Sequence, residues 1–573
     1  MNKMPQTIRN AAYLLTMATA CSLAIAQTTA APAARTTTTP TSSDTNSTSA
    51  SLPQPLPLAD HIAALVSAPA VARDHWGIMV TTLDGKPIYA LNEAQLFQPA
   101  SNAKLFTTAA ALALLGPKAT VETTVVVHGI FTGKEYVKGS VYLIGDGDAN
   151  LSGRAVPYAP NTDEAFPPLR YLDAMAVEIA STGLKTVDGD VVGIAGHLPD
   201  QPYPEGWSVD DLPWGYGAPV SSLSVNDNQL RMTIRPSSEV SSLGEVDITP
   251  VVPYYTVINQ VLTVEAKSPT QIAVERLPGS KQLRVYGRIA VGANPEVEHI
   301  SIDDPPEFAA IALKQLLEQH GVTVTGRGIA EHATSDDARS FRQVSHEPLD
   351  LAALKNTGRF ESGSSICDSP CDPAKVPRSV FLSGHTSPTL LEDVILTNKA
   401  SLNLHAELLL RRLGYRFGFN DYPFPGTFAD GARVVRQFLI NAGIDKDDFI
   451  FYDGSGLSSH DLVTPRATAR LLSYAARDPK TGQPQPWFTA WKSSLPIGGV
   501  DGTLADRFTQ PPLKGHVFAK TGTLGETRAL AGYLDCASGQ TVIFSILVGN
   551  HLPTSHADRD AMDKIVAAIA AAE

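Results

Sequence analysis

The chain has 573 residues, 43% hydrophobic and 18% charged, with a net charge of −13. That length can bury a large core and predicts more than one domain. The acidic balance argues against a nucleic-acid partner, which would favour a basic patch.

The N-terminus has the layout of an export signal. Lys3 and Arg9 are basic, Ala11 to Ala20 is a short apolar run, and Ala24-Ile25-Ala26 fits a cleavage site before Gln27. The run is too short to span a membrane. Residues 1–26 are therefore expected to be a removable signal peptide. A second reading makes Ala18-Thr19-Ala20-Cys21 a lipoprotein site, although Ala18 stands where Leu is usual. Residues 27–57 are rich in Thr, Ser, Ala and Pro, a composition that cannot bury enough apolar surface to order itself. They read as a flexible tether.

His61 to Ser67 reads as a short helix and Trp76 to Thr82 as a strand. Asp84-Gly85 supplies a hairpin turn into a second strand, Pro87 to Leu91. A helix opens at Ala100-Ser101 and runs to Leu115, where Gly116-Pro117 ends it. From about Val121, valine-rich strands alternate with glycine turns, as in Thr123 to Val127 and Gly139 to Leu143. Helices near Leu169 to Ser181 and Pro306 to His320 interrupt further strands, including Gln229 to Ile234 and Gln271 to Glu275. Residues 123–375 are expected to be a β-rich insertion of one or two small domains.

Within its last part, Cys367 and Cys371 flank Asp368-Ser369-Pro370. In an oxidising compartment they favour a small disulfide ring. Metal binding fits less well, because no second Cys or His pair stands nearby with finger-like spacing.

Beyond the insertion, Leu390 to Asn398, Ser401 to Leu413 and Asp430 to Ala442 read as helices. Lys514 to Leu524 reads as a strand, Leu530 to Leu534 and Thr541 to Leu547 as a hairpin, and Ala557 to Ala572 as a closing helix. Cys536 sits between the hairpin strands as a free thiol. Strands and helices at both chain ends suit one α/β domain built from residues 58–122 and 376–573, folding around a single sheet.

Three short motifs fall on these elements: Ser101-Asn102-Ala103-Lys104, Ser401-Leu402-Asn403 and Lys520-Thr521-Gly522. They read S-x-x-K, S-x-N and K-T-G, the serine-acylation set of penicillin-binding proteins and serine β-lactamases. Serine is a weak nucleophile and needs a base nearby. A three-residue helical step puts Ser101 and Lys104 on one face. A lysine held in a dry site can lose its proton, since burial disfavours the charged form. Ser401 could relay a proton to the leaving group, or simply cap the following helix. Asn403 could bond Lys104 or a substrate amide. On the Lys520 strand, a bare Gly522 would let a substrate backbone lie against the edge. Lys520, Thr521 and Thr523 could bind a carboxylate.

Other patterns carry less. Ser224-Val225-Asn226 repeats S-x-N but lies among the strands of the insertion. Asp146-Gly147-Asp148 opens like a calcium loop, yet Leu151 and Pro157 stand where Gly and Glu are needed. None of the 14 histidines makes an H-E-x-x-H pair. His405, one turn past Ser401, reads as a helix-face residue rather than a general base.

From about residue 59 to the end, the chain resembles the low-molecular-mass class C penicillin-binding proteins, the D-alanyl-D-alanine carboxypeptidases/endopeptidases. Besides the motifs, Gly217 to Asn228, His385-Thr386-Ser387-Pro388, Asp453 to Ser458 and Gly502-Thr503-Leu504 carry the likeness. The resemblance implies a transpeptidase-like α/β domain with a five-stranded sheet and inserted small domains. It implies Ser101 as the acylated nucleophile and Lys104 as its base, with Ser401 and Asn403 moving protons and orienting substrate. Lys520, Thr521 and Thr523 would hold a terminal carboxylate, and amides of Ser101 and Thr523 would form the oxyanion hole. Asp148 would help bind the stem peptide, although this chain reads Gly-Asp-Ala-Asn-Leu where the family has Gly-Asp-Pro-Thr-Leu. The implied enzyme is a periplasmic serine DD-peptidase acting on peptidoglycan stem peptides, trapped covalently by β-lactams, with no metal or cofactor. A β-lactamase or esterase on the same scaffold, or a wall-binding protein with a vestigial site, are the competing readings.

Overall fold

The computed structural model describes residues 57–162, 164–354, 377–418 and 425–573. The expected signal peptide, nearly all of the tether, and the Cys367–Cys371 pair lie outside these residues. The elements that frame the site are helix α1 (Leu58–Val66), strands β1 (His75–Thr82) and β2 (Pro87–Leu91), and helix α2 (Ala103–Leu114). They continue with helices α3 (Leu390–Lys399) and α4 (Asn403–Phe417), strands β3 (Val517–Leu524), β4 (Thr527–Asp535) and β5 (Thr541–Gly549), and helix α5 (Ala557–Ala572).

The five strands form one antiparallel sheet in the order β3-β4-β5-β1-β2, joining the two chain ends. Its central strands are buried on both faces, so they read as continuous apolar runs rather than clean alternation. Alternate side chains still divide between two cores. Ile78, Val80, Leu530 and Phe544 pack with Ile62 of α1 and Met562, Ile565 and Ile569 of α5. Met79, Ala531, Tyr533 and Ile543 belong to the core on the other face, with Leu105, Phe106 and Ala109 of α2. That second face carries the Ser101–Lys104 helix. β3 is the edge strand, as its motif required.

Between the halves stands the insertion, with two cores of its own. Glu122–Thr132 and Tyr136–Gly145 form a hairpin within a seven-stranded sheet, backed by helices Arg170–Ser181 and Pro305–Gln319. Two three-stranded sheets enclose a smaller core built on Met232, Val261, Leu283 and Ile300.

The expected boundary at 375–376 needs a correction. Arg378–Thr386 pairs antiparallel with Glu122–Thr132 and so belongs to the inserted sheet. The chain enters and leaves the insertion side by side: Ser387 N donates to Val121 O at 2.9 Å, and Val121 N to Ser387 Oγ at 3.0 Å.

Candidate active site

The first motif sits on a tight turn. Ala100–Asn102 form a single 3-10 turn leading into α2, and Ala100 adopts φ +45°. A non-glycine residue in that region is strained and persists only when its surroundings over-determine it. Two glycines do so here. A Cβ on Gly456 would overlap the Ala100 carbonyl oxygen, and a Cβ on Gly522 would lie 2.8 Å from Pro99 O and 3.0 Å from Ser101 N. The Ser101 turn is thus gripped between the Asp453–Ser458 loop and edge strand β3. The missing side chain of Gly522 makes room for the serine turn itself.

The helical step places Lys104 Nζ 2.9 Å from Ser101 Oγ. The same nitrogen lies 2.7 Å from Asn403 Oδ1 and 2.8 Å from Ser455 O. The last two partners can only accept, so a neutral amine gives its two protons to them and turns its lone pair to the Ser101 hydroxyl. Lys104 is fully buried, and burial pushes it down to about 8, against the opposing pull of Asp453, Glu407 and Asp461. Burial and neighbouring Asp453 push Glu407 up in turn. Glu407 accepts from Gly454 N and Ser455 N at 2.9 and 2.8 Å, which aims the Ser455 carbonyl at Lys104.

Ser401 lies between α3 and α4 with φ +61°. It does not cap α4: Leu402 occupies the cap position. Instead Ser401 Oγ accepts from Lys520 Nζ at 2.8 Å. Lys520 is fully buried, and burial together with the charge of Lys104 holds its ammonium well below the usual lysine range. Along β3, Lys520 and Gly522 are buried, whereas Thr521 is half-buried and Thr523 exposed. Thr521 Oγ1 lies 2.7 Å from Thr503 Oγ1. Ser101, Lys104, Ser401, Asn403, Lys520 and the threonines of β3 therefore converge on one site.

Asp148 does not join them. Its side chain is fully buried; it accepts from Asn150 N at 2.8 Å and faces His385 at 3.7 Å. Burial pushes its carboxyl up to about 6. The decoy Ser224 is likewise buried in the insertion.

Several participants escaped the sequence reading. Asn403 Nδ2 donates to the main-chain carbonyl of Tyr216 at 2.9 Å, and Trp207 Nε1 to Asp453 Oδ2 at 2.9 Å. A main-chain carbonyl has no residue signature. Glu407, four residues after Asn403, was open to discovery from helical spacing. A cleft of about 720 Å³ opens beside Ser401 and Asn403 and is walled by Trp214, Tyr216, Arg231 and His299 of the insertion.

A model of the D-Ala-D-Ala carboxypeptidase 3 (S13) family matches residues 58–355 and 362–571. A D-alanyl-D-alanine carboxypeptidase from Actinomadura sp. (strain R39) is 29% identical over 506 residues, which cover 86% of this chain and 81% of the relative. The solved structure of penicillin binding protein 4 from Haemophilus influenzae matches with a TM-score of 0.68 at 20% identity, covering 88% of this chain and 99% of that one. A second structure of that protein, complexed with a novel β-lactam, matches with a TM-score of 0.64 at 21% identity, covering 88% and 97%. At these identities the structural likeness is one of fold.

Proposed function

Because the chain belongs to the D-Ala-D-Ala carboxypeptidase 3 (S13) family, and is a serine-type D-Ala-D-Ala carboxypeptidase, we propose that its reaction runs through an acyl-enzyme on Ser101. One observation carries this reading: buried Lys104 Nζ lies 2.9 Å from Ser101 Oγ, and its two other partners are pure acceptors. Neutral Lys104 takes the Ser101 proton as Oγ attacks the carbonyl carbon of the scissile bond. The amides of Ser101 and Thr523 receive the developing oxyanion. Ser401, bonded to Lys520, passes a proton to the departing amine, which leaves as D-alanine. Water then hydrolyses the ester.

The terminal carboxylate lies against Lys520, Thr521 and Thr523. Bringing that anion to Lys520 reverses the pressure that keeps its ammonium unfavourable, so substrate binding restores the lysine's charge. The cleft of about 720 Å³ reaching into the inserted wall supports a substrate longer than a dipeptide, namely peptidoglycan stem peptides and D-Ala–diaminopimelate crosslinks. Export by the N-terminal signal places the enzyme in the periplasm, where those substrates lie. β-Lactams acylate the same serine, as the complex of the Haemophilus influenzae protein suggests by analogy.

The test follows intact mass during incubation with benzylpenicillin. The expected result is a single long-lived adduct that maps to Ser101 and is absent from Ser101→Ala, a variant that folds but has no turnover. An adduct lost within seconds would make the protein a β-lactamase. No adduct on the folded wild type would overturn the reading. Digestion of muropeptides then separates release of D-alanine from cleavage of crosslinks.

A further inference from the structure

Two residues past Asn403, His405 is completely buried. Its Nδ1 lies 2.6 Å from Asp393 Oδ1 on α3, and its Nε2 3.4 Å from Asp227 Oδ1 of the insertion. Both ring nitrogens face carboxylate oxygens, which only accept, so the ring must donate from both sides as an imidazolium. Burial alone would lower its proton affinity, but the two carboxylates outweigh this and raise it to about 9. Asp148 of the insertion also acts on the ring. Arg154 Nε lies 2.6 Å from Asp227 Oδ2, and Asn150 Nδ2 3.2 Å from Asp393 Oδ1, so the carboxylates are held from the insertion as well. Asp227 stands in the middle of three successive residues with positive φ, Asn226 at 53°, Asp227 at 55° and Asn228 at 52°. Such a run is kept only when side-chain contacts hold it.

The bridge thus joins three pieces: α3, the first turns of α4, and the inserted wall. The same wall supplies the Tyr216 carbonyl that holds Asn403 Nδ2, while Asn403 Oδ1 receives Lys104. We propose that His405 is a positioning residue: by bridging Asp393 and Asp227 it fastens the inserted wall to the α3–α4 junction and so holds the Asn403 amide between Lys104 and Tyr216. This rests on the acyl-enzyme reading above. The reaction written above assigns His405 no proton to move.

The experiment measures benzylpenicillin acylation rates, by intact mass, for wild type, His405→Gln, Asn403→Ala and the double variant. His405→Gln should slow acylation roughly 10-fold, in the range of couplings between groups sharing one network. In the Asn403→Ala background the same substitution should slow it less than about 2-fold further, because the group it positions is gone. Loss of stability alone would not produce that non-additivity. Asp227→Asn removes the charge and one of the two acceptors that His405 and Arg154 share, with little change of shape, and must show the same pattern; it decides the matter if His405→Gln does not fold. A wild-type rate in the folded single variants, or penalties that multiply in the double variants, would overturn the proposal. Failure of the wild type to acylate at all would remove the acyl-enzyme reading instead, and the proposal with it.

Discussion

Lys104 is where burial becomes chemistry. Its ammonium is disfavoured by a dry site, and burial lowers it to about 8 even though Asp453, Glu407 and Asp461 pull the other way. The protonated form cannot accept from Ser101, so acylation should rise with pH up to about 8 and level off above it. A pH–rate profile of benzylpenicillin acylation checks this; a flat profile between pH 6 and 9 would count against Lys104 as the base. Lys104→Arg keeps a cation but cannot lose its proton. It should slow acylation about 10²–10⁴-fold, the usual weight of a positioned base.

Among the elements, the Ser101 turn depends on what it is packed against. α2 begins in a strained 3-10 turn because the Asp453–Ser458 loop and β3 press on it from two sides. Gly456 has φ +82° and meets the Ala100 carbonyl directly. Gly456→Ala adds backbone strain and a clash together, so it should cost more than about 1 kcal/mol of stability. It should also displace Ser101 and slow acylation. Paired thermal melts and acylation rates check both effects, and near wild-type values for each would refute the gripping role. The helical spacing of S-x-x-K was legible in the sequence because a helix fixes its neighbours locally. The partners that strain the turn were not, because they arrive from distant parts of the chain.

Across the whole molecule, the insertion is hydrogen-bonded at several points to the half that carries the three motifs. Besides the Tyr216 carbonyl and the His405 bridge, Trp207 donates to Asp453, Ser458 Oγ donates to Glu205 O at 2.7 Å, and Gly502 N donates to Tyr158 Oη at 3.2 Å. Asp453 also accepts from Gly456 N at 2.6 Å and Ser458 N at 2.7 Å, so it organises the loop that grips the serine turn. Trp207→Phe keeps an aromatic side chain but removes the pyrrole half of the indole and with it the donor to that carboxylate. It should cost about 1.5–3 kcal/mol, the scale of a hydrogen bond to a charged group. Urea denaturation measures it, and an unchanged midpoint would show that this contact does not couple insertion to loop.

The sequence by itself determined the sheet built from both chain ends, the β-rich character of the insertion, and the three motifs whose Ser101, Lys104, Ser401, Asn403 and Lys520 the fold gathers in one place. Each follows from a short-range regularity: helical steps, strand alternation, or a motif on one element. Only the tertiary structure decided that Asp148 is buried beside His385, that Arg378–Thr386 belongs to the inserted sheet, that Gly522 accommodates the serine turn, and that Tyr216 lends its carbonyl to Asn403. Burial, strand partnership and main-chain acceptors are set by which surfaces meet in space, and no local pattern of side chains encodes that meeting.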